Sequence, residues 1–254
     1  SMNTTTRHAP KPRSASPMRQ ACLEVCAGAI LMLAVSAGVA WWFTLPAIYL
    51  FRAVALYGLV SALVLRHLPL PMPGTGLGPA NRVTLGRATL VIALAALVPQ
   101  PQVGINGGDW FIIGLATVAL CLDGVDGWLA RRTGNTTRFG ARFDMELDSL
   151  LMLVLAALVW RSGKVPLWVI GLGLPRYVFF AAGWCWAWLR NPLPERLRRK
   201  MGCVVQGITL LVCLGPIVPD HLAAAAAGST FVLLLTSFAA DVVWLFRRAD
   251  PSRG

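Results

Sequence analysis

The stretch Leu122–Asp148 reads LDGVDGWLARRTGNTTRFGARFDMELD and decides how the rest of the chain is interpreted. It holds five of the eleven acidic residues, and the sequence on either side of it is almost entirely apolar. Ionised groups are rare in such surroundings unless they are paired or functional, so this clustering needs a physical reason. The acidic residues of the stretch are Asp123, Asp126, Asp144, Glu146 and Asp148.

The composition is that of a membrane protein. The 254 residues are 56% hydrophobic and only 13% charged, whereas a soluble domain has roughly 25% charged residues. Apolar runs of about 17 residues or more recur along the chain, and each can cross a bilayer as a helix. We therefore predict an all-α, polytopic transmembrane helix bundle. About eight spans are predicted, over residues 22–43, 46–65, 83–99, 110–130, 143–160, 166–189, 201–218 and 222–246.

Three further features follow from the residue types. Residues 1–20 are polar, basic and proline-containing, which predicts a disordered basic tail. The spacing of the six cysteines is not that of a metal site, so we expect no disulfide and no zinc. The first two spans, within residues 21–69, lie outside the acidic stretch and are interpreted as an N-terminal addition to a six-helix core at 81–248.

The basic residues predict the orientation of the bundle. With both termini in the cytoplasm, 18 of the 23 Lys and Arg fall on the inner side, two on the outer side and three within spans. This asymmetry follows the positive-inside rule. The formal charge of +12 is thus explained by topology and anionic lipid, and it gives no reason to expect nucleic acid as a partner. The acidic stretch lies at the cytoplasmic face.

The spacing of the aspartates brings them together. Asp123 and Asp126 are three residues apart on one helix, and Asp144 and Asp148 are four apart on the next. Residues at these separations share a helix face. A short loop makes the two helices neighbours, so the four carboxylates can surround one space. Oxygen ligands of this kind suit Mg²⁺ or Mn²⁺, and four of them favour two ions. The alternative is a set of buried ion pairs that holds helices together.

The same residues carry a resemblance to a known family. The pattern Asp-x-x-Asp-Gly-x-x-Ala-Arg, eight further residues, then Gly-x-x-x-Asp-x-x-x-Asp resembles the signature of the CDP-alcohol phosphotransferases. These are integral-membrane enzymes of phospholipid synthesis, and every signature position matches. The matching residues are Asp123, Asp126, Gly127, Ala130, Arg131, Gly140, Asp144 and Asp148.

The resemblance implies a reaction and a site. A CDP-linked lipid, usually CDP-diacylglycerol, would transfer its phosphatidyl group to an alcohol and release CMP. Asp123, Asp126, Asp144 and Asp148 would hold two metal ions, and Asp148 would also be the general base. The resemblance further assigns the cytidine nucleotide to the small and basic residues Gly127, Ala130, Arg131 and Gly140.

Weaker matches extend the predicted site. Asn81, Thr84 and Arg87 are similar to the family's Asn/Thr/Arg motif, which implies contact with the nucleotide-lipid. For Asn81 and Thr84, an N-cap role is an equal alternative, whereas Arg87 is expected to bind phosphate. Lys200 and Gln206 match a looser pattern in which Arg199, Gly202 and Cys203 depart from the family. The predicted acceptor or phosphate ligands are Arg138, Arg142, Arg176 and Lys200, with pairing to Glu146 as the alternative for Arg176.

The acceptor stays open between glycerol 3-phosphate, phosphatidylglycerol, an inositol phosphate, serine and other alcohols. Two rival functions remain as alternatives: an Mg²⁺-dependent prenyltransferase within the membrane, and a cation transporter. A transporter site should lie near the midplane between broken helices or repeats, and prenyltransferase motifs form two separate clusters. We expect the protein to contact membrane lipid and to lie in a prokaryotic inner membrane. A homodimer is compatible with the sequence.

Overall fold

The structure is a computed structural model that describes residues 17–68, 77–100, 108–133, 138–186 and 197–249. Within those ranges every regular element is a helix, so the predicted all-α class is confirmed. The helices are α1 Pro17–Phe43, α2 Ala47–His67, α3 Pro79–Leu97, α4 Gly108–Thr133, α5 Arg138–Arg161, a 3₁₀ helix Leu167–Leu172, α6 Pro175–Cys185, α7 Leu197–Leu214 and α8 Asp220–Ala249.

Helix α3 lies at the centre of the bundle. It packs against α1, α2, α4 and α5, and its segment from Val91 to Leu94 is buried on every side. A helix that is apolar all round has no face suited to water, and burial among other helices is its stable position. The charged residue within the buried part of α3 is Arg87, whose side chain is fully buried.

The hairpin of α1 and α2 packs directly on α3. The Tyr49 hydroxyl of α2 donates a hydrogen bond to the Ala93 carbonyl of α3 at 3.3 Å. α1 begins at Pro17, so residues 17–20 of the predicted tail are helical, and the Gln20 amide donates to Glu24 at 3.4 Å. Residues 1–16 lie outside the described part of the chain. The division into an addition and a core stays a prediction.

The sixth predicted span, 166–189, is not one helix. It consists of the 3₁₀ helix, a break at Gly173 and Leu174, and the short helix α6. Pro175 begins α6, and a proline is tolerated in the first helical turn but not in the interior. Gly173 has a separate reason to be glycine, because a Cβ there would collide with the backbone of Leu153 in α5.

The outer surface is apolar, as a lipid environment requires. Ile30, Trp41 and Phe51 are each more than two thirds exposed, and exposed apolar area on this scale marks contact with another apolar phase. Among the described residues, three helices are long and apolar enough to cross a membrane by length and composition, at Met18–Phe43, Ala47–His67 and Asp220–Phe246. Shorter apolar helices run over Trp110–Val125 and Met201–Leu214. The count of eight spans and the orientation of the termini stay predictions.

Hydrogen bonds also tie the loops together at the end of the bundle remote from Arg87. The Arg161 guanidinium donates to the Gln100 carbonyl at 3.4 Å. Lys164 donates to the carbonyls of Gly215 and Val218, the latter at 3.2 Å. The two basic residues predicted to lie outside therefore satisfy loop carbonyls. No disulfide joins any two cysteines in the described part of the chain.

Candidate active site

The candidate site is built around the buried guanidinium of Arg87. The side chain projects from the third turn of α3 and is 0% exposed, which makes it one of the largest fully buried side chains among the described residues. An unpaired charge in this position would be strongly unfavourable, so its surroundings must supply opposite charge.

Three aspartates from two helices supply that charge. Asp123 of α4 forms an ion pair and a short hydrogen bond with Arg87 Nη1. Asp144 and Asp148 of α5 form ion pairs with the other terminal nitrogen of Arg87, with Oδ1–Nη2 distances of 2.6 and 2.9 Å. The Asp144 carbonyl also accepts from Nη2 at 3.4 Å. The predicted meeting of the two acidic helix faces therefore occurs for these three residues.

The same carboxylates fit a divalent cation. Each offers one oxygen, and these oxygens lie within 4.8 Å of one another. Their side chains are 38%, 36% and 39% exposed for Asp123, Asp144 and Asp148. Arg87 thus closes the inner side of the cluster, whereas the carboxylates are accessible from elsewhere. Hard oxygen donors with an open approach are what Mg²⁺ or Mn²⁺ binds, so the donor set fits the predicted cofactor.

The structure describes only the main chain at several predicted ligands. Residues 126, 127, 130 and 131 lie in the last two turns of α4, 138 begins α5, and 200 lies in the first turn of α7. The side chains there lie outside the described set. Gly140 is half-buried one turn before Asp144.

The N-cap alternative for Asn81 and Thr84 is wrong. Helix α3 begins earlier than predicted, with Gly78 at the N-cap and Pro79 in the first turn. Gly78 has φ of 84°, a backbone conformation that glycine adopts readily. Asn81 donates its amide to the Leu77 carbonyl at 2.8 Å, and Thr84 is 3% exposed. The nucleotide roles of both residues stay predictions.

Arg176 pairs with Glu146, the second of its predicted alternatives. Its Nη2 lies 2.5 Å from Glu146 Oε1. Because the predicted span 166–189 is broken before Pro175, Arg176 is the second residue of α6 and not an interior residue of one long helix. The Arg176 side chain is 32% exposed. Arg142, another predicted acceptor ligand, is exposed on α5.

Two further polar residues make long-range contacts: Glu24, to which the sequence assigns no role, and Gln206, which matches only the looser family pattern. Glu24 of α1 forms an ion pair with Arg82 of α3, with an Oε1–Nη2 distance of 2.6 Å. Gln206 is buried and donates its amide to the Leu172 carbonyl at 2.5 Å, which holds the 3₁₀ helix against α7. Glu24 lies 58 residues from Arg82 in sequence, so no local pattern could reveal this pairing.

The fold and the site define a helical membrane protein with an acidic, cation-compatible centre. The family model of the CDP-alcohol phosphatidyltransferases matches residues 77–239, which is more than half of the chain. The protein therefore belongs to the CDP-alcohol phosphatidyltransferase family, and the resemblance in the sequence is confirmed. No solved structure gives a significant match to the chain.

Family membership settles the class of reaction. Members transfer a phosphatidyl group from a CDP-alcohol and use a divalent metal. The prenyltransferase and transporter alternatives are thereby set aside. The match starts at Leu77 and so leaves out α1 and α2.

Proposed function

We propose that the protein transfers the phosphatidyl group of CDP-diacylglycerol to the hydroxyl of an alcohol and releases CMP, as a step of phospholipid synthesis at the cytoplasmic face of a prokaryotic inner membrane. The observation that carries the proposal is the convergence of three aspartates from α4 and α5 on one buried arginine of α3. In a chain of this family, such a cluster is the natural place for a diphosphate and its counter-ions.

The carboxylates have separate roles in this proposal. Asp123, Asp126 and Asp144, with help from Asp148, would hold two Mg²⁺ or Mn²⁺ ions. Bound there, the metal would neutralise negative charge on the diphosphate and on the departing CMP. Gly127, Ala130, Arg131 and Gly140 would border the cytidine nucleotide, with Asn81 and Thr84 nearby on α3.

Asp148 is proposed as the general base. Its carboxylate lies further from Arg87 than that of Asp144, at 2.9 against 2.6 Å, and it is 39% exposed. It is therefore accessible to an incoming hydroxyl. In the reaction, Asp148 takes the acceptor's proton and the hydroxyl oxygen forms a bond to the phosphorus of the phosphatidyl group. The bond between that phosphorus and the CMP oxygen breaks, and CMP leaves with the electron pair.

Arg87 is proposed to keep the three carboxylates in place. Like charges within 4.8 Å of one another repel, and a guanidinium with several donors in a fixed fork can bind more than one carboxylate at a time. Arg87 contacts all three. In this arrangement Arg87 binds the three carboxylates. Any contact between Arg87 and a substrate phosphate would be made in addition to these ion pairs.

The experiment that tests the proposed reaction uses purified protein and CDP-diacylglycerol labelled in the cytidine. We expect CMP release that requires an alcohol, and a phospholipid product whose head group matches the alcohol supplied. The panel should include glycerol 3-phosphate, an inositol phosphate, serine and phosphatidylglycerol. A prenyl diphosphate in place of the CDP-lipid should give no product. No CMP release with any acceptor would contradict the proposal.

A pair of matched variants tests whether Arg176 also binds the acceptor. If Arg176 only pairs with Glu146, then Arg176→Gln and Glu146→Gln should have the same small effect, because exposed ion pairs contribute about 0–1 kcal/mol. If Arg176 binds a phosphorylated acceptor, Arg176→Gln alone should raise the acceptor KM. We expect this second result, by roughly tenfold for one lost charge-assisted hydrogen bond. Equal KM values in the two variants would remove Arg176 from the site.

A further inference from the structure

The carboxylate of Glu24 on α1 holds the beginning of α3. Its Oε2 accepts from the backbone N–H of Leu77 at 2.8 Å. Its Oε1 accepts from Arg82 at 3.0 Å for Nε and 2.6 Å for Nη2. The Glu24 side chain is only 13% exposed, and hydrogen bonds to an ionised acceptor are stronger than neutral ones. One carboxylate therefore fixes both Leu77, two residues before α3, and the first turn of that helix.

The hairpin behind Glu24 is close-packed. The Tyr57 hydroxyl of α2 donates to the Val25 carbonyl of α1 at 2.7 Å, one residue after Glu24. Gly28 of α1 lies so near this hydroxyl that a Cβ would collide with it, and the same Cβ would lie 3.1 Å from Leu85 of α3. Glu24 is thus carried by a helix that has little room to shift against α2 and α3.

Arg82 and Arg87 place this contact and the site on the same helix. They lie five residues apart on α3, which places them about 140° apart around the helix axis and about 7.5 Å apart along it. Arg82 contacts α1, whereas Arg87 contacts the aspartates of α4 and α5. A rotation or slide of α3 released at Arg82 would therefore move the guanidinium that holds three carboxylates.

We propose that Glu24 is a positioning residue for the transferase reaction, acting through α3 on Arg87. The inference rests on the proposed function. It makes the α1–α2 hairpin a part of the active site's support, although the family match begins only at Leu77. It differs from the prediction that these two helices are an addition outside the six-helix core.

The test compares Glu24→Gln with Tyr49→Phe in the full chain. Both changes remove polar contacts between the hairpin and α3, but Tyr49 bonds Ala93, which lies beyond Arg87 on the C-terminal side and does not hold the beginning of α3. Turnover of CDP-diacylglycerol and thermal unfolding in detergent are measured for each. We expect Glu24→Gln to lower kcat by roughly 10- to 100-fold, since a small misplacement of catalytic groups has effects of this size. Tyr49→Phe should lower the unfolding temperature and leave kcat within about twofold of wild type, because it moves no catalytic group.

A double-mutant cycle distinguishes positioning from general damage. If Glu24 acts through Arg87, then adding Glu24→Gln to Arg87→Lys should lower kcat by less than about threefold, because the two changes disrupt one pathway. Equal fold losses in the wild-type and Arg87→Lys backgrounds would overturn the inference. So would a Glu24→Gln protein that unfolds earlier but turns over at the wild-type rate.

The result for wild type separates this inference from the proposed function. Wild-type protein that releases CMP from CDP-diacylglycerol, together with a fully active Glu24→Gln variant, would refute the positioning role alone. Wild-type protein that releases no CMP would refute the proposed function, and the positioning role with it.

Discussion

Asp148→Asn should lower turnover by roughly 10²–10⁴-fold, which is the usual cost of removing a general base. Binding of CDP-diacylglycerol should change by less than about tenfold, because loss confined to turnover marks an interaction made mainly in the transition state. Asn keeps the size of the side chain and removes its ability to take a proton. The measurement is CMP release beside equilibrium binding of the labelled CDP-lipid.

Two comparisons make the Asp148 result specific. Glu146→Gln removes a carboxylate two residues away that pairs with Arg176 instead of Arg87, and with a saturating acceptor it should keep near-normal turnover. Asp123→Asn and Asp126→Asn should lose both lipid binding and turnover, because they weaken the metal site itself. Equal loss of binding in the Asp148, Asp123 and Asp126 variants would make Asp148 only another metal ligand.

Among the variants proposed for this protein, Arg87→Gln should lower the free energy of unfolding the most. Removing one partner of a buried ion pair costs about 3–5 kcal/mol. The carboxylates here are more than one third exposed, so solvent screening should reduce the loss to about 2–3 kcal/mol. The variant leaves three neighbouring carboxylates without this guanidinium. Thermal unfolding in detergent measures the effect.

Magnesium should partly restore the Arg87→Gln variant. A ligand that binds only the folded state stabilises it, and a divalent ion can supply the positive charge that the guanidinium no longer provides. The rise in unfolding temperature on adding Mg²⁺ should therefore be larger in Arg87→Gln than in wild type. Arg176→Gln is the matched control, because its partner Glu146 is exposed. An Arg87→Gln protein as stable as wild type would show that the three ion pairs contribute nothing.

The meeting of Asp123, Asp144 and Asp148 could be predicted from the sequence because it depends on helical periodicity and a short loop. Both are local properties of the stretch Leu122–Asp148. The helical class could be predicted for a similar reason, since long apolar runs in a bilayer leave the helix as the simplest way to satisfy the backbone.

Other features depend on contacts between distant segments. The interpretation of Arg87 as a phosphate ligand did not include its aspartate partners, because a motif does not show what a buried guanidinium faces. The pairing of Glu24 with Arg82 joins α1 to α3, and the periodicity of neither helix predicts it. The break in the sixth span has a local signal, which is Gly173 with Pro175 two residues later. The hydrophobic residues on both sides of this signal nevertheless favour a single continuous span.

The central claim is that the aspartates around Arg87 form the divalent-metal site at which the CDP-lipid reacts. It is tested most directly by following Mn²⁺ binding and CMP release in the same samples of wild type and Asp123→Asn. In wild type, a chelator should abolish CMP release, and added Mg²⁺ or Mn²⁺ should restore it. Asp123→Asn should bind Mn²⁺ weakly and release little CMP. Full CMP release in excess chelator, or unchanged Mn²⁺ binding and activity in Asp123→Asn, would contradict the claim.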